Sequence, residues 1–542
     1  MKPETRTLIA IFLIVLISIV SYRFLPRQQA PRPAETAPEE SISTLDYEID
    51  ETVPPEIAEA PVQVSQEEDS VSIETDLLRV SLSTVGGSIT SLVLKEYEDL
   101  TGSKGEGAQL AELIPPGRRA VSSTVRTKES TYDLGEVNFT LERVVPLSDT
   151  GAAEVVFSVL LPDGKSFRRT YTFKDSEYTI GLREVCSGDP RELRVKWQAG
   201  LRQTEKAQRG YLNYFSAMAM VGGLYKQWPL PKAVKTIRDG DAMKVRELEY
   251  VGRVDWGAVK TKYFLACFIP RKEVRYFRVD TVPYAEKEES SNLSVTLGTE
   301  TSVAEYDIYV GPLQYDRLRS FGLGLDRAVY LGPGWVSGIS RLILRILVWL
   351  HRLVRNYGVV IIIFSCIMMV VFYPLTFRSL RSMREMQKLQ PKINALREKY
   401  KNESQKLNAE MMSIYKKEGI NPLGGCLPLL FQMPVFWALF AILRSMIELR
   451  GAQFLWIGDL SERDPFFILP VLMAGSMFIQ QRFTPTDPRQ KAMTVMMPLV
   501  MLFIFWSFPA GLVLYWLVYN VLSVVQHYLL HRRKEESKGA PA

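Results

Sequence analysis

The residues with chemistry to offer are few, and they sit in unusual surroundings. Gln432 is a lone amide inside the apolar run 423–447, and Asn520 is another inside 511–531. Ser365, Tyr373, Tyr515 and Trp516 add hydroxyl and indole edges to apolar stretches of the same kind. A polar group in hydrocarbon is costly unless it pairs or faces water. Such residues therefore either bond a neighbouring helix or line a hydrophilic path between helices. For Gln432 the residues alone leave both readings open. Ser365 is the weaker candidate, because serine often bonds its own helix backbone, and Trp516 equally suits an interfacial anchor. This is hydrogen-bonding chemistry and not bond-making chemistry. The chain has no P-loop lysine motif, no histidine-rich metal cluster and no histidine placed beside a Ser or Cys nucleophile. A role that is not enzymatic, with neither cofactor nor metal, is the expectation.

A second group of residues lies between two apolar runs. From Arg378 to Asn421 eleven Lys and Arg residues face five glutamates. A short loop with that excess stays on the cytoplasmic side of a bilayer, so this insert orients everything downstream. Its pattern predicts two antiparallel helices, the second capped by Asn402 with Gln405 three residues on and ended by Gly419. Arg378 and Arg381 stand at its mouth. Met383, Met386, Met411 and Met412 offer a soft apolar surface to varied hydrophobic segments; packing within the hairpin accounts for each of them equally well. The basic side chains suit anionic lipid, with ribosomal RNA as the other candidate. The net charge of +6 is accounted for by such membrane-facing loops, and no DNA binding is read from it.

The elements that must position these groups follow from hydropathy. Leu8 to Val20 is apolar, lacks a small-residue cleavage site after it, and reads as an N-terminal anchor within 1–25. Residues 26–69 are rich in Pro, Glu and Ala and read as a disordered tether. From Val71 short alternating segments begin, with Gly86-Gly87 at a turn, and they recur at 153–161, 167–173, 263–269, 274–279 and 293–297. They predict one large antiparallel β domain over 70–332, with a helical stretch at 317–330. Residues 333–356 form an amphipathic segment. Ser337, Arg341, Arg345, Arg352 and Arg355 share one helical stripe, and Ile339, Ile343, Ile346, Leu350 and Leu353 lie opposite, which suits a helix lying in the interface. Five spans follow at 357–377, 423–447, 465–481, 492–508 and 511–531, with a basic tail at 532–542. The basic loops place both termini in the cytoplasm and the β domain outside. Two spans are short and carry Pro470 and Pro498, which read as interruptions. Cys186 and Cys267 fall in the outer domain, where a disulfide is open, and Cys366 and Cys426 read as packing residues.

Several motifs resemble a known family. Tyr373-Pro374-Leu375-Thr376, Leu389-Gln390-Pro391-Lys392-Ile393, Glu410-Met411-Met412, Asn421-Pro422-Leu423-Gly424-Gly425-Cys426 and Gln432-Met433-Pro434 are similar to the YidC membrane protein insertases. So are Pro509-Ala510-Gly511-Leu512-Val513-Leu514-Tyr515 and, in the β region, Tyr309-Val310-Gly311-Pro312. The resemblance implies a catalyst of membrane protein insertion and folding in the bacterial inner membrane, acting alone or beside the Sec translocon. Implied partners are nascent membrane proteins, the ribosome and signal recognition components. The implied fold is an anchor helix, a periplasmic β-supersandwich and five core helices around a hydrophilic groove. In that family an arginine of the first core span attracts acidic tails. Counting back from Tyr373-Pro374, its position here holds Met369, and no core span carries a charge in its central part. The groove candidates are thus Ser365, Met369, Tyr373, Gln432, Tyr515, Trp516 and Asn520. A more neutral groove is expected, or one whose charge is supplied from its mouth by Arg378 and Arg381, with a bias toward weakly charged tails.

Two other classes compete. A solute transporter driven by protons or sodium would need ionisable residues in its spans, and an inverted repeat is not evident. A membrane-anchored carbohydrate-binding protein would leave the five core spans without a purpose.

Overall fold

The computed structural model describes residues 68–102, 109–147, 151–206, 211–230, 248–281, 293–400, 403–419, 427–483 and 491–538. The N-terminal anchor at 1–25 and all but the last two residues of the 26–69 tether lie outside the described residues.

The alternating segments build three antiparallel sheets of nine, six and four strands. In the strand Ser166–Lys174 every second residue (Phe167, Arg169, Tyr171, Phe173) points inward, as a pleated strand with one buried face requires. The nine- and six-stranded sheets pack face to face. Trp197 of one meets Phe268 of the other edge-on at 6.2 Å between ring centroids. Gly257 marks the closest approach, where a Cβ would fall 2.7 Å from the Phe277 ring and 3.0 Å from Leu297. A buried ion pair lies inside this sandwich. Arg169 donates to the Glu184 carboxylate at 2.7 Å, to the Ser123 hydroxyl at 2.6 Å and to the carbonyls of Gly86 and Gly87. It thereby ties both sheets to the glycine turn, since Ser123 belongs to the six-stranded sheet. Cys186 and Cys267 are both buried free thiols. Their strands, Thr179–Cys186 and Phe264–Pro270, are separated by Val303–Pro312, which pairs with both. The disulfide left open by the sequence is absent, and burial pushes both thiols up.

After the last strand the chain makes a short helix α1 (Tyr315–Ser320) and a 3₁₀ turn (Leu325–Ala328), two pieces where one helical stretch was expected. Helix α2 (Gly334–Leu353) has three faces, not two. Val336, Ile343, Leu344, Leu347 and Leu350 are buried, while Arg341, Arg345 and Arg352 are exposed. Between these faces runs an exposed apolar stripe of Trp335, Leu342, Trp349 and Leu353. Leu353, read from the sequence as part of the apolar face, is exposed with this stripe.

Helix α3 (Tyr357–Lys399) is continuous through the predicted boundary at 377, with Pro374 and Pro391 inside it, so the first span and the first arm of the hairpin are one 43-residue helix. At ~1.5 Å per residue it is ~65 Å long, about twice a hydrocarbon core. Its part Tyr357–Ser379 is, among the described residues, the one helix long and apolar enough to cross a membrane; the other apolar helices are shorter. Cys366 is exposed on it and is not the packing residue expected. Helix α4 (Ser404–Lys417) returns, and Gly419 follows it at φ +66°, the left-handed conformation that ends helices. Asn402, Asn421 and Cys426 lie outside the described residues. The rest of the core is α5 (Leu427–Ser445), α6 (Ile468–Phe483), α7 (Lys491–Phe505) and α8 (Ala510–Lys538). Pro470 does not interrupt α6. It sits in the first turn, where backbone N–H groups have no helical acceptor to lose. Pro498 is interior to α7 and does remove a bond.

Candidate functional site

Helix α8 packs against α3 and α6, α6 against α7, and α5 against α2. This arrangement brings Gln432 of α5 to Tyr515 of α8. The Gln432 side-chain amide donates to the Tyr515 hydroxyl, with the two residues 7% and 0% exposed. The Tyr515 ring rests 6.1 Å from that of Phe364 on α3. Three helices therefore meet at one buried polar contact.

On the side nearer the α8 N-terminus, aromatic rings fill the space. Phe436 contacts Phe505, Phe508 and Trp516 at centroid distances of 6.2, 6.3 and 5.4 Å. Phe508 also packs on Phe440 and Phe505, at 5.0 Å from each. Trp516 is half-buried in this cluster, so its indole serves as packing between α5, α7 and α8.

Further along α8 the buried side chains become polar again. Asn520 is 5% exposed, and its side-chain N–H₂ finds no acceptor among the described residues. Ser523 accepts a hydrogen bond from Gln480 of α6 at 2.9 Å. Gln526 is buried with its N–H₂ unpartnered among the described residues, as is the Gln481 side-chain oxygen on α6. Buried donors and acceptors of this kind call for water or another polar chain. Sequence reasoning picked out Asn520 but missed Gln480, Ser523 and Gln526. The available signal was the spacing 520, 523, 526, which puts three polar side chains along one side of a helix otherwise built from Val and Leu.

The remaining candidates are scattered. The Ser365 hydroxyl donates to the Ile361 carbonyl at 2.8 Å, so it satisfies its own helix and contributes little polarity. Met369 is half-buried one turn on, and Tyr373 is exposed and stacked on Phe377. In the hairpin Arg378 and Arg381 are exposed, and Arg381 pairs with Glu385 at 3.1 Å. Leu389 and Ile393 are buried within the hairpin, and Lys392 bridges to Glu418 across it at 2.8 Å. Met386 and Met411 are half-buried and Met412 is exposed, so the hairpin core does not consume them; the Met383 side chain lies outside the described residues. Among the described residues no group of His, Cys, Asp and Glu could hold a metal ion.

The described residues combine one helix long and apolar enough to cross a membrane, a buried polar contact between helices, a basic helical hairpin and a large β domain, the features of a membrane-spanning class of protein. A family model described as the YidC periplasmic domain matches residues 70–349, and one described as a 60Kd inner membrane protein matches 349–538. The membrane protein insertase YidC of Geobacter sp. (strain M21) is 35% identical over 482 residues, 86% of each chain. That of Geotalea daltonii is 33% identical over 545 residues, 98% of this chain and 99% of its own. A crystal structure of an active YidC insertase aligns with 87% of this chain and 95% of that one, at 18% identity and a TM-score of 0.38. The chain belongs to the YidC family of membrane protein insertases. It is accordingly an inner membrane protein, and its β domain is the periplasmic domain of that family.

Proposed function

We propose that the chain inserts newly made membrane proteins through a neutral polar groove bounded by α3, α5, α6, α7 and α8. The observation that carries this reading is the line of buried amides, from Gln432 on Tyr515 to the unpartnered groups of Asn520 and Gln526. A translocating segment carries polar backbone and side chains, and such amides can bond it where lipid cannot. The aromatic cluster around Phe436 closes the groove toward the periplasm, and the hairpin end opens toward the cytoplasm, where both chain termini lie. Helices α6 and α7 have 16 and 15 residues. At ~1.5 Å per residue they reach ~24 and ~22 Å, short of a ~30 Å hydrocarbon core, and so thin the bilayer beside the groove. That lowers the barrier to moving a polar tail across.

Met369 supplies no charge, so the groove favours tails that are neutral or weakly charged. Arg378 and Arg381 at its mouth meet anionic lipid, and Met386, Met411 and Met412 receive apolar segments from the ribosome and signal recognition pathway. The chain works alone or beside the Sec translocon, and no bond-making step is assigned to it. A photoreactive amino acid at position 369 or 520 tests the route. It is expected to crosslink an arrested nascent membrane protein, whereas capture only at lipid-facing Val370 would rule the groove out.

A further inference from the structure

The connection between α5 and α6 is held from two sides. On one side it supplies the caps of two groove helices. The Asp464 carboxylate accepts from the N–H groups of Phe466 at 3.0 Å and Leu469 at 2.7 Å, at the start of α6. The carbonyls of Glu462 and Leu460 accept from the N–H groups of Ala510 at 2.6 Å and Gly511 at 2.9 Å, the first two of α8. There is little slack: a Cβ on Gly511 would lie 3.1 Å from Ile361 and 3.2 Å from the Leu460 carbonyl. The start of α8 therefore goes where residues 460–462 go.

On the other side the β domain grips the same few residues. The tight turn between strands Val254–Lys260 and Phe264–Pro270 presents Lys262 and Tyr263. The Lys262 ammonium meets the Glu462 carboxylate at 3.0 Å, and the Tyr263 hydroxyl meets that of Ser461 at 2.8 Å. A second grip lies nearby. Arg450 donates to the Glu205 carboxylate at 2.9 Å, with side chains 4% and 5% exposed. It also donates to the carbonyls of Glu98 at 2.7 Å and Thr204 at 3.2 Å. Apolar contact alone would hold a domain against a loop. The Arg450–Glu205 pair is buried on both sides, so a slip there leaves a charge unpaired, and it fixes the register in which Lys262 meets the partly exposed Glu462.

We infer that Lys262 and Tyr263 are positioning residues for insertion: through Ser461 and Glu462 they hold the outer end of α8, and with it Tyr515 five residues on, in register with Gln432. The β domain is then a brace on the groove and not only a passenger outside it. The groove reading supplies the site being positioned, so the two are tested apart.

The experiment uses the full chain in lipid vesicles, with its four cysteines replaced by alanine and Ser523→Cys as reporter. Two rates are read, maleimide labelling from the hairpin side and insertion of a neutral-tailed substrate. Lys262→Glu sets two carboxylates against each other at this contact and is expected to change both rates by about tenfold. The exchanged pair Lys262→Glu with Glu462→Lys is expected to restore both to within about twofold. If Lys262→Glu does not fold, Tyr263→Phe decides, with an expected change of about two- to fivefold from the lost Ser461 bond. Parental rates in a folded single variant, or equal impairment of the single and exchanged forms, would overturn the brace. A parent that inserts while the reporter thiol at position 523 never labels would instead overturn the groove and leave the brace without an object.

Discussion

Replacing Gln432 by leucine separates the two roles open to a buried intramembrane amide. The substitution keeps side-chain volume close, so no cavity term enters. It removes one hydrogen bond and leaves the Tyr515 hydroxyl buried without it. Intramembrane side-chain bonds are worth ~0.6 kcal/mol on average and up to ~1.7, whereas a fully dry orphaned group costs ~1–3 kcal/mol. The expected loss is therefore about 1 kcal/mol. Tyr515→Phe removes the same bond, so the double variant should lose no more than either single, a coupling of about 1 kcal/mol. Against a stability of ~5–15 kcal/mol such a loss leaves the protein folded. Unfolding in detergent micelles measures this side of the cycle. The other side is insertion, where a groove that has lost its central donor is expected to slow about tenfold or more. Insertion within about twofold of the parent, with the stability loss as calculated, would refute the groove assignment and leave Gln432 as helix-to-helix glue.

Other outcomes follow from groups elsewhere in the chain. Arg169→Met strands the fully buried Glu184 carboxylate inside the β sandwich; it is expected to cost ~3–5 kcal/mol in thermal unfolding, and a loss below ~1 would contradict a desolvated pair. Glu448, in the 3₁₀ turn Ile447–Leu449 of the α5–α6 connection, is pushed up to about 7 by burial, with Asp316 adding to it. Its folded form holds a proton that the unfolded chain releases near 4.5, so stability falls as pH rises from about 4.5 through 7 and then levels. Glu448→Gln is expected to flatten that slope and to stabilise the protein at pH 8 by up to about 3 kcal/mol, read from melting curves across pH. An unchanged slope would place the titration elsewhere.

Much of this architecture was legible in the sequence because two periods are hard to disguise. The alternation in Ser166–Lys174 and the apolar run after Tyr357 each allow one kind of element. Boundaries were less legible where a helix crosses from lipid to water: nothing in Phe377-Arg378 breaks α3, since arginine is as good a helix former as leucine. Pro470 misled because a proline in the first turn of a helix takes away no helical hydrogen bond. In the site, single amides such as Gln432 and Asn520 stood out against apolar neighbours. Which atom they meet depends on the packing of helices far apart in sequence, 83 residues in the case of Gln432 and Tyr515. The grip of Lys262 on Glu462 spans 200 residues and has no local signature at all.

The most direct test of a neutral insertion groove is reconstitution of the purified chain alone into liposomes, beside Met369→Arg and protein-free vesicles. Small membrane proteins with neutral or acidic translocated tails are the substrates, and protease protection reports insertion. A neutral groove requires insertion of the neutral-tailed substrate well above protein-free vesicles, weaker insertion of the acidic tail, and a narrowed gap in Met369→Arg. Equal insertion of both tails by the parent would contradict the neutral groove, and no insertion by a folded parent would contradict autonomous activity itself.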